Sequence, residues 1–383
     1  MSKRVLFISS FQFPEGDAGA TRLLMLARAL RMQGCDVELC GMGDESVFDG
    51  FKCYTLNPYP DNKFLNWAMW RLMGQRAASF VRAHVDEYDA IVFSFLPARS
   101  LEAMKAACRS RGTVFAGDFT EWFEPEQFPK GERDGGYRDH IRLLKQAVDP
   151  AVKVIAISSY LQRHFEAMGC NVLRVPAVLD IEELAPRDIS VRPKGEVRLM
   201  YAGSPAKKDA LHIVLAAISE LSAEERGRLR LDLYGVTDGQ ARGLMRDGEP
   251  LPECVRAHGR VPRSEVIEAL HCSDFTILMR DPSKTFAQAG MPTKVTESLG
   301  SGVPVISNLT SDLGEFLSES SNAVVVDGYS ASACANALRR AIVLSPAELA
   351  RMRGESVSTA RQLLDYRAYS NQLACFLFGE KGF

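Results

Sequence analysis

The sequence predicts an α/β protein made of two doubly wound, Rossmann-like domains in tandem. Short β-rich runs alternate with helix-length stretches along nearly the whole chain, the pattern of a parallel sheet covered on both faces. The alternation breaks once, in the Pro- and charge-rich stretch IEELAPRDISVRPKGE at 181–196, which reads as a linker, and then starts afresh. A length of 383 residues exceeds one ordinary core and suits two domains of roughly 150–200 residues.

In the first half the expected strands are VLFIS (5–9), DVELC (36–40), AIVFSF (90–95) and VIAIS (154–158). A helix is expected over about 20–33. Leu23, Leu26, Ala27 and Leu30 fall at i, i+3, i+4 and i+7 and form one buried stripe, with Arg22, Arg28 and Arg31 outside it. Gly34 then stops the helix as a C-cap glycine would. After the linker come VRLMYAG (197–203), a helix near 209–222, LRLDLYG (229–235), DFTILMR (274–280), a helix near 293–300, VPVISN (303–308) and AVVVDG (323–328). The last 35 residues are helical in pattern and carry Tyr366, Tyr369, Phe376 and Phe378, enough apolar surface to dock back onto the first domain. The expected organisation is therefore a first domain of residues 1–182 joined by 366–383, and a second domain of 183–365.

Composition narrows the function. With 46 Lys+Arg against 48 Asp+Glu, the net charge of −2 lacks the electrostatic footprint of a protein whose main partner is nucleic acid. No 20-residue apolar span occurs, and the opening MSKRVLFISS is too short an apolar run for a signal peptide, so a cytosolic protein is expected. Nine scattered cysteines without a CxxC spacing read as buried free thiols rather than a zinc site. There is no P-loop and no HExxH. The glycines after the first strand lack the dinucleotide spacing. The absence of any Asp-x-Asp points away from a metal-carboxylate clamp, so a metal-free phosphate site is expected.

The segment FAQAGMPTKVTESLGSGVPVISN (286–308) is the most informative. A Gly-Met-Pro-Thr turn opens a helix bearing Lys294 and Glu297. Its free N–H groups and positive dipole end suit a diphosphate, and Glu297, one turn on from Thr293, suits a ribose diol. A capping box with Thr293 as N-cap and a merely solvated Glu297 competes with that reading. Arg280 follows the strand FTILM, at the carboxyl end where such folds place ligands, and could bind phosphate bidentately. The competing reading is a structural ion pair with Asp281 or Glu297. Lys207 and Lys208 sit in a turn that is either a phosphate contact or simply solvated. In the first domain, GDFTEWF (117–123) follows the strand TVFA. There Asp118 and Glu121 could orient a hydroxyl and Trp122 could stack on a sugar. Gly19, in the Gly16–Arg22 loop, would allow close backbone approach, or mark a plain helix entry. Residues 62–85 hold Lys63, Arg71, Arg76 and Arg82 with no acid, beside Phe64, Leu65, Trp67, Trp70, Leu72 and Met73. That composition fits either an interfacial helix on anionic lipid or a buried helix with snorkelling basic tips.

The block AGMPTKVTESLGSGVPVI, together with YAGSPAKKDAL (201–211), HGRVPRSEVIEAL (258–270) and IAISSYL…VPAVLD (155–180), resembles the retaining GT-B glycosyltransferases of family 4, especially those that build bacterial surface polysaccharides. The resemblance implies two Rossmann-like domains facing a cleft and hexosyl transfer from a nucleoside-diphosphate sugar (UDP or GDP) to a glycan or lipid-linked acceptor. Transfer would proceed with retention and without metal or other cofactor, the leaving phosphate helping to deprotonate the acceptor. It implies that Glu297 binds the donor ribose and that Gly290, Met291, Pro292, Thr293 and Lys294 lie against the diphosphate and sugar. Ser204 and Lys208 would face the phosphates, Arg260 the base, Gly19 the donor across the cleft, and Glu121 and Trp122 the acceptor, with Asp118, Lys208 and Arg280 as catalytic residues. A membrane-facing 62–85 would place the protein on the inner membrane surface. Two positions depart from the pattern. Ala289 stands where the family has its first glutamate, with Gln288 as a stand-in, and Ser204 stands where many members have arginine. A nucleotide-sugar epimerase or hydrolase of the same fold, or a non-catalytic scaffold, are the alternatives.

Overall fold

The computed structural model describes residues 2–13, 17–57, 63–185, 195–203, 208–245 and 249–379, and for 57 and 63–71 the backbone alone. Two compact units result: Met1–Leu179 with Tyr366–Phe383, and Asp180–Asp365.

The first unit is built on β1 (Arg4–Gln12), β2 (Asp36–Met42), β3 (Ser46–Phe48), β4 (Phe51–Asn57), β5 (Ala90–Ser94), β6 (Val114–Phe119), β7 (Lys153–Ala156) and β8 (Val172–Arg174), in the order β3-β4-β2-β1-β5-β6-β7-β8. Every pairing is parallel except β3 with β4. That antiparallel hairpin departs from the all-parallel expectation, and its cause is local. Asp49 and Gly50 both take positive φ, 51° and 77°, the type I′ turn that an Asp-Gly pair favours. Arg28 of the first helix fastens the turn through Asp49 at 2.7 Å.

That helix, Ala18–Met32, buries Leu23, Leu26, Ala27 and Leu30 as the spacing predicts. Gly34 follows it at φ 78°. Arg22 departs from the expected outer face and is buried. The helix Ser370–Phe378 docks beside it through Leu373, Ala374 and Leu377, and Lys153 Nζ donates to Leu377 O at 3.1 Å.

The second unit is an all-parallel sheet of β9 (Val197–Ala202), β10 (Leu229–Tyr234), β11 (Val255–Gly259), β12 (Phe275–Leu278), β13 (Val305–Ser307) and β14 (Ala323–Val325), ordered β11-β10-β9-β12-β13-β14. The presumed linker is structured at its start. Ile181–Leu184 forms a helical turn whose Ile181 and Leu184 pack over Gly300 at 3.1 Å from where a Cβ would stand. The rest of the stretch, 186–194, lies outside the described residues. Six of the nine cysteines are buried free thiols, whereas Cys254 and Cys375 are partly exposed and Cys272 is exposed. Among the described residues no helix is long and apolar enough to cross a membrane.

Both sheets reverse strand order once, between β1 and β5 in the first unit and between β9 and β12 in the second. The crevices beyond the carboxyl ends at those reversals are where open α/β sheets bind ligands.

Candidate functional site

At the β9/β12 reversal of the second unit the chain assembles a compact charged cluster. Its centre is Asp209, in the turn between β9 and the helix Leu211–Ser219. The carboxylate accepts from Arg280 Nε at 3.3 Å and from the Tyr201 hydroxyl at 3.0 Å, and pairs closely with Lys294 Nζ. Lys294 also lies over the Tyr201 ring, 4.4 Å from its centre. The cluster is substantially desolvated: Asp209 and Arg280 side chains are 7% and 10% exposed, while Lys294 keeps 30% of its surface and forms the open side. Burial pushes the Asp209 carboxyl up, but the Lys294 and Arg280 charges outweigh it and hold it below the usual carboxylate range.

Each cation is placed by the fold. Arg280 follows β12, and Asn308, after β13, clamps its backbone from the next strand: Arg280 N donates to Asn308 Oδ1 at 3.0 Å and Asn308 Nδ2 to Arg280 O at 2.7 Å. Lys294 stands in the first turn of the helix Thr293–Gly300, which has the bounds the sequence predicts. The N-cap is Pro292 rather than Thr293, with no side-chain cap, so the capping-box reading fails and the first N–H groups are left by that cap. Gly290, Met291 and Pro292 are buried beneath it. Gly203 ends β9 directly under Lys294, and any Cβ there would strike the ammonium.

Across β9, β10 and β11 the carboxyl edge carries Gly203, Gly235 and Gly259. The Gly235 N donates to Gly259 O at 2.6 Å, and a Cβ on Gly235 would come within 2.7 Å of Gly203 O. The edge therefore presents bare backbone beside the cations. Glu297, one turn beyond Lys294, borders an apolar pocket lined by Ala202, Val266, Leu270 and Val295, and pairs with Arg263 Nη1 at 2.9 Å. His258 is stacked on Tyr234, with ring centres 4.5 Å apart, and bonds Asp232 at 2.7 Å, while Arg260 is exposed. Lys208 is partly buried next to Asp209. Ser204 and Lys207 lie outside the described residues.

Several expectations are corrected. Arg280 does form an ion pair, with neither Asp281 nor Glu297 but with Asp209. Gln288, the suggested stand-in for the missing glutamate, donates its amide nitrogen to Pro282 O at 2.8 Å, and its oxygen accepts from Ser311 N at 3.3 Å. Ala289 itself is fully buried. Sequence reasoning missed Asp209, Tyr201 and Asn308. An acid directly after Lys207-Lys208 was the available signal, but its partners are 71 and 85 positions away.

In the first unit Asp118 is held in a buried ion pair. Arg22 grips it, Nε to Oδ1 at 3.0 Å and Nη2 to Oδ1 at 2.9 Å, with the two side chains 5% and 1% exposed. Arg22 spends its other donors on Pro176 O at 2.6 Å and Val175 O at 2.9 Å. Gly19 is also explained locally: Asp17 caps the helix by accepting from Gly19 N at 2.9 Å, and the Phe11 ring fills the space a Cβ would take. The helix N-terminus thus already has its anion. Gly16 lies outside the described residues. Trp122 is packed edge-on against Tyr160 and His164, and Glu121 is partly buried.

Two parallel-sheet α/β units, with a cation cluster at the strand reversal of the second, define the GT-B class of fold. Known proteins agree. Residues 196–343, all within the second unit, match the family model described as Glycosyl transferases group 1. Among curated proteins, the amylovoran biosynthesis glycosyltransferase AmsK of Erwinia amylovora is 27% identical over 174 residues, 43% of this chain and 41% of its own. The putative colanic acid biosynthesis glycosyltransferase WcaL of Escherichia coli K12 is 26% identical over 206 residues, 51% of this chain and 49% of its own. The matched stretch thus spans about half or less of either relative's length. Among solved structures, sucrose-phosphate synthase from Thermosynechococcus elongatus superimposes with a TM-score of 0.75 at 14% identity, covering 97% of both chains. Anabaena HepE in complex with UDP and glucose gives 0.67 at 16% identity, covering 97% and 98%. These likenesses show the fold.

Proposed function

We propose that this protein is a retaining, metal-independent glycosyltransferase that moves a hexose from a nucleoside-diphosphate sugar to a glycan or lipid-linked acceptor of a bacterial surface polysaccharide. The observation that carries the reading is the charge count at the β9/β12 crevice. Arg280 and Lys294 face one carboxylate, Asp209, so the described cluster holds a surplus cation in a desolvated place. Fixed positive charge of that kind stabilises a departing diphosphate most as its charge develops. Asp209 keeps the two cations from repelling each other until the ligand arrives.

In this scheme Arg280 and Lys294 meet the diphosphate, with Lys208 and the uncapped turn Gly290–Thr293 beside it. Glu297 accepts the ribose hydroxyls in an orientation that Arg263 fixes, and Arg260 and Ser204 flank the base and phosphates. The leaving phosphate takes the acceptor proton on the same face, so no covalent nucleophile is required. Asp118 enters as a structural residue, through Arg22. The similarity to AmsK and WcaL supports a polysaccharide acceptor, and the bound UDP of HepE supports a uridine donor. The basic helix Lys63–His84 supports a peripheral contact with the inner membrane surface.

Thermal melting with UDP, GDP, ADP, TDP and CMP, with Mg²⁺ or with EDTA, tests the reading. Ligand at 100 times its dissociation constant adds roughly 2.7 kcal/mol. One diphosphate should stand out, unaffected by EDTA. No shift with any of them, or a shift that needs Mg²⁺, would sink the donor site as described.

A further inference from the structure

The cation cluster of the second unit contains one charge of the wrong sign for an anion site. Asp209 accepts from Arg280 Nε at 3.3 Å and pairs with Lys294, so it lies against both cations. It is also fixed there. Its side chain is 7% exposed, and the Tyr201 hydroxyl donates to it at 3.0 Å. The next residue ties the turn to the end of β12, Ala210 N donating to Met279 O at 2.8 Å. Burial and the Asp209 charge raise the Tyr201 phenol well above its ordinary value, so the hydroxyl stays a donor. A carboxylate held from these sides does not swing out when another anion comes in.

The cations, in contrast, keep an open side. Among the described residues the Arg280 guanidinium is hydrogen-bonded through Nε alone, and Lys294 retains part of its surface. A diphosphate bonded to either comes within a few ångströms of the Asp209 carboxylate, inside the roughly 8 Å over which physiological salt screens charge. The acid one turn along, Glu297, is already matched by Arg263 at 2.9 Å.

A fixed carboxylate in that place opposes a ligand in proportion to its negative charge. The diphosphate of a nucleotide-sugar is a diester with about two charges. The terminal phosphate of a free nucleoside diphosphate has a second ionisation at about pH 6, which brings the total to about three at neutral pH. The extra charge arises in transfer itself. Breaking the bond to the sugar leaves its electron pair on the terminal phosphate oxygen, and once the proton taken from the acceptor is lost to water, the product is one charge more negative than the donor.

We propose that Asp209 is a fixed counter-charge that loosens the hold of the site on the nucleoside diphosphate product relative to the nucleotide-sugar donor. This role rests on the glycosyl-transfer reading of the cluster. Arg280 and Lys294 favour departure of the diphosphate, and Asp209 keeps them from trapping it. A plain brace for the two cations has the opposite sign: removing it would slacken both and weaken every anion.

Titration calorimetry on the whole protein separates the two, in the parent, Asp209→Asn and Asp209→Ser, at a pH of about 7.5 where the terminal phosphate is fully charged. The probes are UDP and UDP-glucose, GDP and GDP-glucose, and inorganic pyrophosphate. Both substitutions remove the charge, and asparagine keeps an acceptor for Tyr201. The preferred nucleoside diphosphate should bind each variant about tenfold or more tighter than the parent, and its glucose ester only about threefold tighter. Pyrophosphate should follow the diphosphate. Equal tightening of diphosphate and ester overturns the proposal, as does unchanged binding, and weaker binding of every probe overturns it in favour of the brace. In those three cases the parent still binds a nucleotide, so the transfer reading stands. A parent that binds none of the four nucleotides removes that reading and the role of Asp209 with it.

Discussion

The two strand reversals occupy equivalent places in their sheets and carry opposite chemistry. Beyond β1 and β5, the charged groups are neutralised within the protein: Asp118 by Arg22, and the helix N-terminus by Asp17. Beyond β9 and β12, Arg280 and Lys294 share one carboxylate and the helix N-terminus has no side-chain cap. The doubly wound fold supplies the crevice in both cases. Whether it takes an anion is settled by how completely the protein's own carboxylates satisfy its cations and amides.

Four changes probe that contrast. The largest effect is expected from Arg280→Ala, which cancels the surplus charge: transfer should fall about 10²–10³-fold, with the nucleotide-induced melting shift lost and the fold kept by the Asp209–Lys294 pair. Near-parent turnover would mean that the cluster is structural, like its counterpart.

Next comes Arg22→Met, which strands a carboxylate at 1% exposure and should cost about 3–5 kcal/mol in urea unfolding. Arg22→Met with Asp118→Leu should recover most of that loss but not all, because Val175 O and Pro176 O lose their donors. If the single variant is harmless, the closed pair does not distinguish the first unit as argued.

Gly203→Ala drives a methyl into the Lys294 ammonium and puts a side chain on a backbone at φ 157°, so a drop in nucleotide affinity of about tenfold and a lowered melting temperature are both expected. Titration calorimetry separates the two.

The mildest probe is pH. The Asp209 carboxyl is lower in the folded protein than in the unfolded chain, so its contribution is present above the ordinary carboxylate value and lost as pH falls through the depressed folded value. Melting of the second unit should therefore hold steady above the ordinary carboxylate range and weaken progressively from there down to the depressed folded value, and Asp209→Asn should remove that part of the acid limb.

How much of this could be read from sequence depends on distance along the chain. The helix Thr293–Gly300, the stripe Leu23/Leu26/Ala27/Leu30 and the position of Arg280 at a strand end are local patterns, and the structure has them where spacing puts them. The β3–β4 hairpin was equally local, signalled by Asp49-Gly50, and went unread. Asp209 and Arg22 were beyond reach for a different reason. A solvated basic turn and a buried carboxylate trap look alike until residues 71 or 96 positions away are brought against them. The stacking of Phe11 on Phe95, with ring centres 5.7 Å apart, was illegible too, since the two meet only through β1/β5 pairing and nothing in the sequence announces that Phe95 turns left-handed.

The return of Tyr366–Phe383 to the first unit has a consequence for biosynthesis. The second unit is one uninterrupted stretch, Asp180–Asp365, whereas the first is split around it. During vectorial synthesis the second unit can complete its core while the first still lacks the helix carrying Leu373 and Leu377, whose socket beside Ala18–Met32 stays open to water. The unit that emerges first from the ribosome is therefore the last to close, after the 186 residues from Asp180 to Asp365 and then the closing helix Ser370–Phe378 have been translated. A nascent chain arrested before Tyr366 should carry a finished second unit and an unfinished first unit that chaperones recognise.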